Sequence, residues 1–162
     1  MQKANAEHEM TSPAMMRKHY QMLGLNLLVS FVIMYFVMFT MIWSFAEFFN
    51  NLNMFYMALM MATPMGALML LTMPMMYRNF RLNAVLYSAF ALTFALSFYA
   101  MRDQTLIGDR QFLRSMIPHH AGAVLMCRRA SVQDPELRAL CTNIIASQTQ
   151  EIGQMKAILS AR

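Results

Sequence analysis

Charge is what this sequence has least of. Asp, Glu, Lys and Arg make up 13% of its 162 residues, while 58% are apolar. A soluble domain carries about 25% charge. That scarcity speaks against a water-exposed globular unit of this size and for a membrane protein. Carboxylates are rare too, at eight Asp and Glu in all. A carboxylate-rich di-iron bundle needs Glu-x-x-His pairs, and the single central Glu of the tail, Glu151, has no His after it. Only two cysteines occur, with no Cys-x-x-Cys, His-Glu-x-x-His or Cys₂His₂ spacing, which excludes a closed structural zinc site. No Ser-His-Asp arrangement, phosphate loop or nucleotide motif is visible, so no enzyme activity is expected. The formal net charge of +5 gives no reason to expect nucleic acid in so apolar a chain. It bears instead on how the spans are oriented.

Three long runs contain no charge at all: Leu23 to Ala46, Met54 to Tyr77, and Leu82 to Ala100. Each is long enough for a hydrocarbon core of ~30 Å. Pro64 and Pro74 predict a kink in the second, and Thr63 and Gly66 offer close helix packing there. The first run is too long for a cleaved signal peptide, its charged leader is too distant, and no small-residue cleavage site follows it. Tyr20, Trp43, Tyr56, Tyr77 and Tyr99 lie near the expected span ends, as an aromatic belt would. Without an ionisable residue in any span, a transport path through them has little support. Lys3, Arg17 and Lys18 precede the first span, and Arg78 and Arg81 lie between the second and third. The positive-inside rule then places the N-terminus in the cytoplasm and everything after Ala100 outside. The organisation expected is a cytoplasmic leader over 1–22, a three-helix transmembrane region over 23–101, and an outward tail over 102–162. The leader, with His8, His19 and several methionines, reads as a disordered tail.

Methionine is what the chain has in plenty, 21 in all. In the tail it falls into helical rows. A first amphipathic helix is expected from an N-cap near Asp109 to about Ala130, with an apolar face of Phe112, Met116, Ala123 and Met126 and with Ile117 and Val124 beside it. Pro118 should bend it. A second helix is expected from Pro135 to about Leu159, capped by Asp134. Two such helices cannot cover their own apolar faces, so two hairpins are expected to meet as a four-helix bundle, most simply a homodimer, or in a higher homo-oligomer. The fold class is therefore all-α, with three transmembrane helices followed by an extracytoplasmic helical hairpin.

The first tail helix holds "MIPHHAGAVLM", Met116 to Met126. Met116 and His119 share one row, and Met116 and His120 another. Adjacent residues point ~100° apart on a helix, so His119 and His120 cannot serve one ion alike. One faces the core and the other a partner, or they serve separate sites. Gln148, Glu151 and Met155 form a row on the second helix at about the same depth. Thioether and imidazole donors suit Cu(I), or its mimic Ag(I), with Zn²⁺ possible through His and Glu151. The plainer alternative is that the methionines fill a core and the histidines are structural. Cys127 and Cys141 sit on opposite arms. They read either as a disulfide in an oxidising compartment or as soft-metal thiolates.

The tail resembles the family catalogued as domain of unknown function 305, a ferritin-like helical family. The resemblance rests on "DRQFLRSMIPHHAGAVLMC" and "DPELRALCTNIIASQTQEIGQMKAIL", with Met116, His119 and His120 near the start and Gln148, Glu151, Ile152 and Met155 near the end. It covers about the last third of the chain, and the layout of three spans is similar to a membrane-anchored subgroup. The resemblance implies a bacterial, extracytoplasmic protein associated with copper handling. It implies metal contacts at Met116, His119, His120 and Met126, with Glu151 and Met155 as further ones, and it supplies no enzyme activity. The cysteine pair lies outside the hallmark. The function expected is an inner-membrane protein displaying a periplasmic Met/His bundle for copper homeostasis or resistance. The alternative is a membrane scaffold whose hairpin only dimerises.

Overall fold

The structure is a computed structural model and describes residues 13–161. The described residues form five α-helices without strands: α1 Pro13–Val37, α2 Leu52–Thr72, α3 Phe80–Arg102, α4 Asp109–Arg129 and α5 Pro135–Ser160. Short 3₁₀ turns at Met38–Met41 and Phe45–Glu47 lie between α1 and α2. The chain divides into two compact units. One holds residues up to Tyr35 with Tyr56–Asp103, and the other holds Phe36–Phe55 with the chain from Gln104 onwards.

In the first unit three helical stretches, Ala14–Met41 (which runs on into the second unit), Leu52–Thr72 and Phe80–Arg102, are long and apolar enough to cross a membrane. Leu23, Leu70 and Tyr77 form the buried centre, with Tyr20, Leu27, Met69, Leu86 and Phe90 packed on it. Gly66 permits this closeness. A Cβ there would lie 2.7 Å from the Phe90 ring and 3.0 Å from a Leu27 methyl, which is the small-residue packing expected of apolar helices. One end of the unit is closed by polar groups. The Tyr20 hydroxyl donates to Asn83 Oδ1 (2.7 Å), Asn83 Nδ2 donates to the Tyr77 carbonyl (2.7 Å), and Asn79 Oδ1 caps α3 by accepting from Leu82 N (3.0 Å). The remaining apolar surface, such as Leu28, Leu68 and Leu92, points outward. Large apolar patches of this kind are stable in hydrocarbon and not in water.

The helices differ from the expected spans at three places. α1 starts at Pro13, so the part of the leader from there is helical and not a disordered tail. Pro13 fits a first helical turn, and Met, Arg and Lys are good helix formers. His8 and Lys3 lie outside the described residues. α1 ends at Val37 rather than Ala46, because the aromatic stretch from Met38 onwards folds into turns of the second unit. α2 ends at Thr72, one residue before Met73, whose α conformation the following Pro74 disfavours. Pro74 thus ends the helix instead of kinking it, while Pro64 lies inside α2.

The second unit is the hairpin of α4 and α5 with the Phe36–Phe55 segment packed on it. Gly108 precedes α4 as its N-cap and Asp109 is its first residue, so the cap falls one position earlier than the Asp109 cap expected from sequence. Asp134 caps α5 through its side chain, accepting from Leu137 N at 2.9 Å, and Pro135 opens the helix. Cys127 and Cys141 form a disulfide with Cα atoms 5.2 Å apart. Ile117, Ala121 and Ile152 make the core, with Ile42, Phe49, Met155 and Leu159 packed against it.

This core corrects the expected apolar face of α4. The buried row is Leu113, Ile117, His120, Ala121 and Val124. Phe112 and Met126 are 50% and 54% exposed. The buried side of α4 is covered by the Phe36–Phe55 segment as well as by α5, and the part of that segment up to Ala46 is read as membrane span from sequence. Pro118 lies inside α4 and leaves the Arg114 carbonyl without its i+4 donor. The side-chain amide of the buried Asn51 stands 3.5 Å from that oxygen. The same Asn51 accepts from Met54 N at 2.9 Å and so caps α2.

Ile117→Ala is expected to lower stability by about 2–5 kcal/mol, as truncation of a buried aliphatic side chain does. Phe112→Ala should cost clearly less. Chemical denaturation of both variants in one detergent checks this, and the reverse order would place the core on the other face.

Candidate metal centre in the hairpin

The two histidines of "PHH" part ways. His120 is 7% exposed, and His119 lies on the exposed side of α4. Their ring centroids are 5.8 Å apart. The separation follows from the ~100° step between neighbours on a helix, with the covered face passing through 117, 120, 121 and 124.

His120 bridges the two arms. Its Nε2 is 2.7 Å from Glu151 Oε2, and its Nδ1 is 2.9 Å from the Met116 carbonyl oxygen. Both partners are acceptors. The ring donates to both only with a proton on each nitrogen, and a neutral ring donates to one. The carboxyl group of Glu151 is about half exposed, its side chain 47% accessible against 9% for His120. This is therefore a partly solvated pair, whose contribution to stability is modest.

The contact also sets register. α4 and α5 run antiparallel, so with His120 opposite Glu151, Met116 and Met155 fall on the same level one turn away. Met116 is half-buried, and Met155 packs on the Ile117 core. Gln148, half-buried, stands one turn from Glu151 in the other direction. The expected donors thus divide. Met116, His120, Glu151 and Met155 are brought to adjoining turns of the hairpin. Met126 is not, since six residues separate it from His120, about 9 Å along the helix at 1.5 Å per residue. His119 shares the level but faces away. Cys127 and Cys141 are committed to each other, so the thiolate alternative is not the one this structure adopts.

The fit to a metal ion is partial. Among the described residues no three His, Cys, Asp or Glu side chains form a metal-holding group. What is present is a buried imidazole, His120, held between a backbone carbonyl and a carboxylate. A metal-bound imidazole usually donates its second ring N–H to a backbone carbonyl or carboxylate. The Met116 carbonyl is placed to accept from Nδ1, while Nε2 is engaged with Glu151 Oε2 and would have to exchange that contact for an ion. Two thioethers on the neighbouring turn would add soft donors.

Sequence reasoning missed a second contact across the unit. Lys156 donates to Glu47 Oε1 at 2.9 Å, and Glu47 is 8% exposed. Its other carboxylate oxygen is buried with no hydrogen-bond partner among the described residues. The only signal for it was the lone charge of the first connection. The cation–π contacts of Arg128 and Arg129 on Trp43 were missed as well.

These features define an all-helical protein with three helices able to cross a membrane and a disulfide-closed hairpin that pairs a buried His with a Glu. Residues 100–161 match the family model described as domain of unknown function (DUF305). An uncharacterized protein of Acanthamoeba polyphaga mimivirus is 33% identical over 114 residues, covering 69% of this chain and 73% of that protein. The alignment is longer than the family segment, so the likeness reaches into the apolar helices. No solved structure matches the chain. The chain belongs to the DUF305 family.

His120→Ala removes a buried, doubly engaged ring and should cost about 1–3 kcal/mol. His119→Ala, on the exposed side, should stay within about 0.5 kcal/mol. Paired melting curves of the two variants test this, and equal losses would contradict the division of the two rings.

Proposed function

We propose that this chain is a multi-pass protein of a bacterial inner membrane, with its N-terminus cytoplasmic, whose hairpin stands in the periplasm and binds copper, with Cu(I) favoured. The observation that carries the metal reading is the His120 ring. Its Nδ1 is held by the Met116 carbonyl and its Nε2 faces Glu151. Once Glu151 swings from Nε2, the Nδ1 contact would hold the imidazole oriented to take a metal there, with the carboxylate beside it. The neighbouring thioethers, Met116 and Met155, give the set its preference for a soft ion, and Ag(I) would follow Cu(I). Zn²⁺ would rely on His120 and Glu151 alone and bind more weakly. The disulfide supports the compartment, since such bonds persist on the oxidising side of a membrane. A site with so few donors from one hairpin is completed by a second copy, as expected of hairpins that dimerise. Bound copper would be buffered, sensed or passed on, with no reaction catalysed.

A second reading is favoured by a different observation. Leu137 and Leu140 on α5, and Phe112 on α4, are each half exposed. A hairpin with that surface is suited to a membrane scaffold in which the tail is only a dimerisation module.

The test is a Cu(I) competition titration against a calibrated chelator, on the full chain in nanodiscs. The metal reading predicts tight binding, weakened at least about tenfold by His120→Ala or by Met116→Leu, the scale on which metal-site partners act. Affinity unchanged in both variants, or no binding by a folded chain, leaves the scaffold reading.

A further inference from the structure

Beside the hairpin core, within the same unit, lies an aromatic groove of about 370 Å³. Phe36, Phe39, Ile42, Trp43, Phe45 and Phe48 line it. Phe48 stacks on Phe36 (ring centroids 6.3 Å apart) and tilts against Phe39 (4.2 Å). Phe45 is 93% exposed, a placement that water penalises and an interfacial lipid layer accepts.

The groove starts within the first apolar stretch, Ala14–Met41, and Trp43 follows two residues after that stretch ends. A tryptophan at that position belongs to the headgroup level of a bilayer. Two guanidinium groups meet it there. Arg128 Cζ lies 4.6 Å from the Trp43 ring centroid and Arg129 Cζ 5.7 Å. Both come from the last turn of α4. Neither arginine takes part in the His120–Glu151 or Lys156–Glu47 ion pairs of this unit. An apolar slot that opens at the end of a span, with two arginines over its tryptophan, matches a molecule with a hydrocarbon tail and an anionic head.

We propose that Trp43, Arg128 and Arg129, with the aromatic groove, bind one anionic phospholipid. The acyl chain lies along Phe36, Phe39 and Phe48, and the headgroup phosphate takes the guanidinium N–H donors. A polar peptide would leave the aromatic wall unused, and a neutral lipid would leave the arginines unpaired. This proposal is independent of metal binding, because it uses none of the metal-site residues.

Trp43 is the only tryptophan of the chain, so its fluorescence reports this groove alone. The experiment places the full chain in phosphatidylcholine nanodiscs and adds, at matched mole fraction, phosphatidylglycerol or phosphatidylcholine with brominated acyl chains. The expected result is stronger quenching by the brominated anionic lipid, corresponding to roughly tenfold preference, as two arginines facing an anionic surface supply. The preference should shrink in high salt and vanish in the Arg128→Gln/Arg129→Gln double variant. The Arg128→Lys/Arg129→Lys variant, which keeps the charge and guards against simple misfolding, should retain most of it. Equal quenching by both lipids in the unaltered chain would overturn the proposal. So would quenching by neither, which would mean that protein, such as a second copy, covers the groove.

Discussion

The Cys127–Cys141 disulfide sets the register on which the rest of the hairpin depends. It ties the C-terminal end of α4 to the first turns of α5 across a short connection. Closing a loop with a sequence separation of 14 is worth roughly 3 kcal/mol in the chain-entropy account. With that end fixed, two antiparallel helices have little freedom to slide. His120 then meets Glu151, two to three turns down, and the Met116 and Met155 level follows. A shift by one residue would rotate His120 away from the carboxylate, so the polar pair and the covalent bond specify the same alignment.

The hairpin is not self-sufficient, and its second support comes from a distant part of the chain. The segment after α1 places Ile42 and Phe49 on the Ile117 core, Asn51 near the carbonyl that Pro118 leaves open, and Glu47 against Lys156. These contacts explain why α4 buries the 113, 117, 120, 121 and 124 row and exposes its Phe112 and Met126 row. They also join the segment that follows a helix apolar enough to cross a membrane to the hairpin through packing and an ion pair, not only through the peptide chain. A lipid held at Trp43 would add a third support on the same segment.

Much of this is legible in the sequence where the chemistry is local. The Asp134-Pro135 start of α5 is a cap followed by a residue that suits the first helical position. The split of His119 and His120 follows from the helical step, and the opposition of Glu151 to the histidine region from counting back from the turn. The cysteine pair sits at matching depth. What is not legible depends on partners far apart in the chain. The apolar residues from Met38 to Ala46 read as the end of a span, and Glu47 to Phe49 as a plain connection, so their role as a cover for α4 is hidden. The burial of Glu47 needs Lys156, 109 residues away. The identity of the covered face of α4 depends on both.

The central proposal is that the apolar helices deliver a disulfide-locked hairpin to the oxidising side of a membrane. It is tested most directly in intact cells that express the chain. They are treated with a membrane-impermeant maleimide–polyethylene glycol, before and after a membrane-impermeant reductant. The account predicts no labelling at first, and after external reduction a gel shift of two adducts that is lost in Cys127→Ser/Cys141→Ser. Labelling that needs no reductant but appears only once the membrane is permeabilised would place reduced cysteines inside and contradict it.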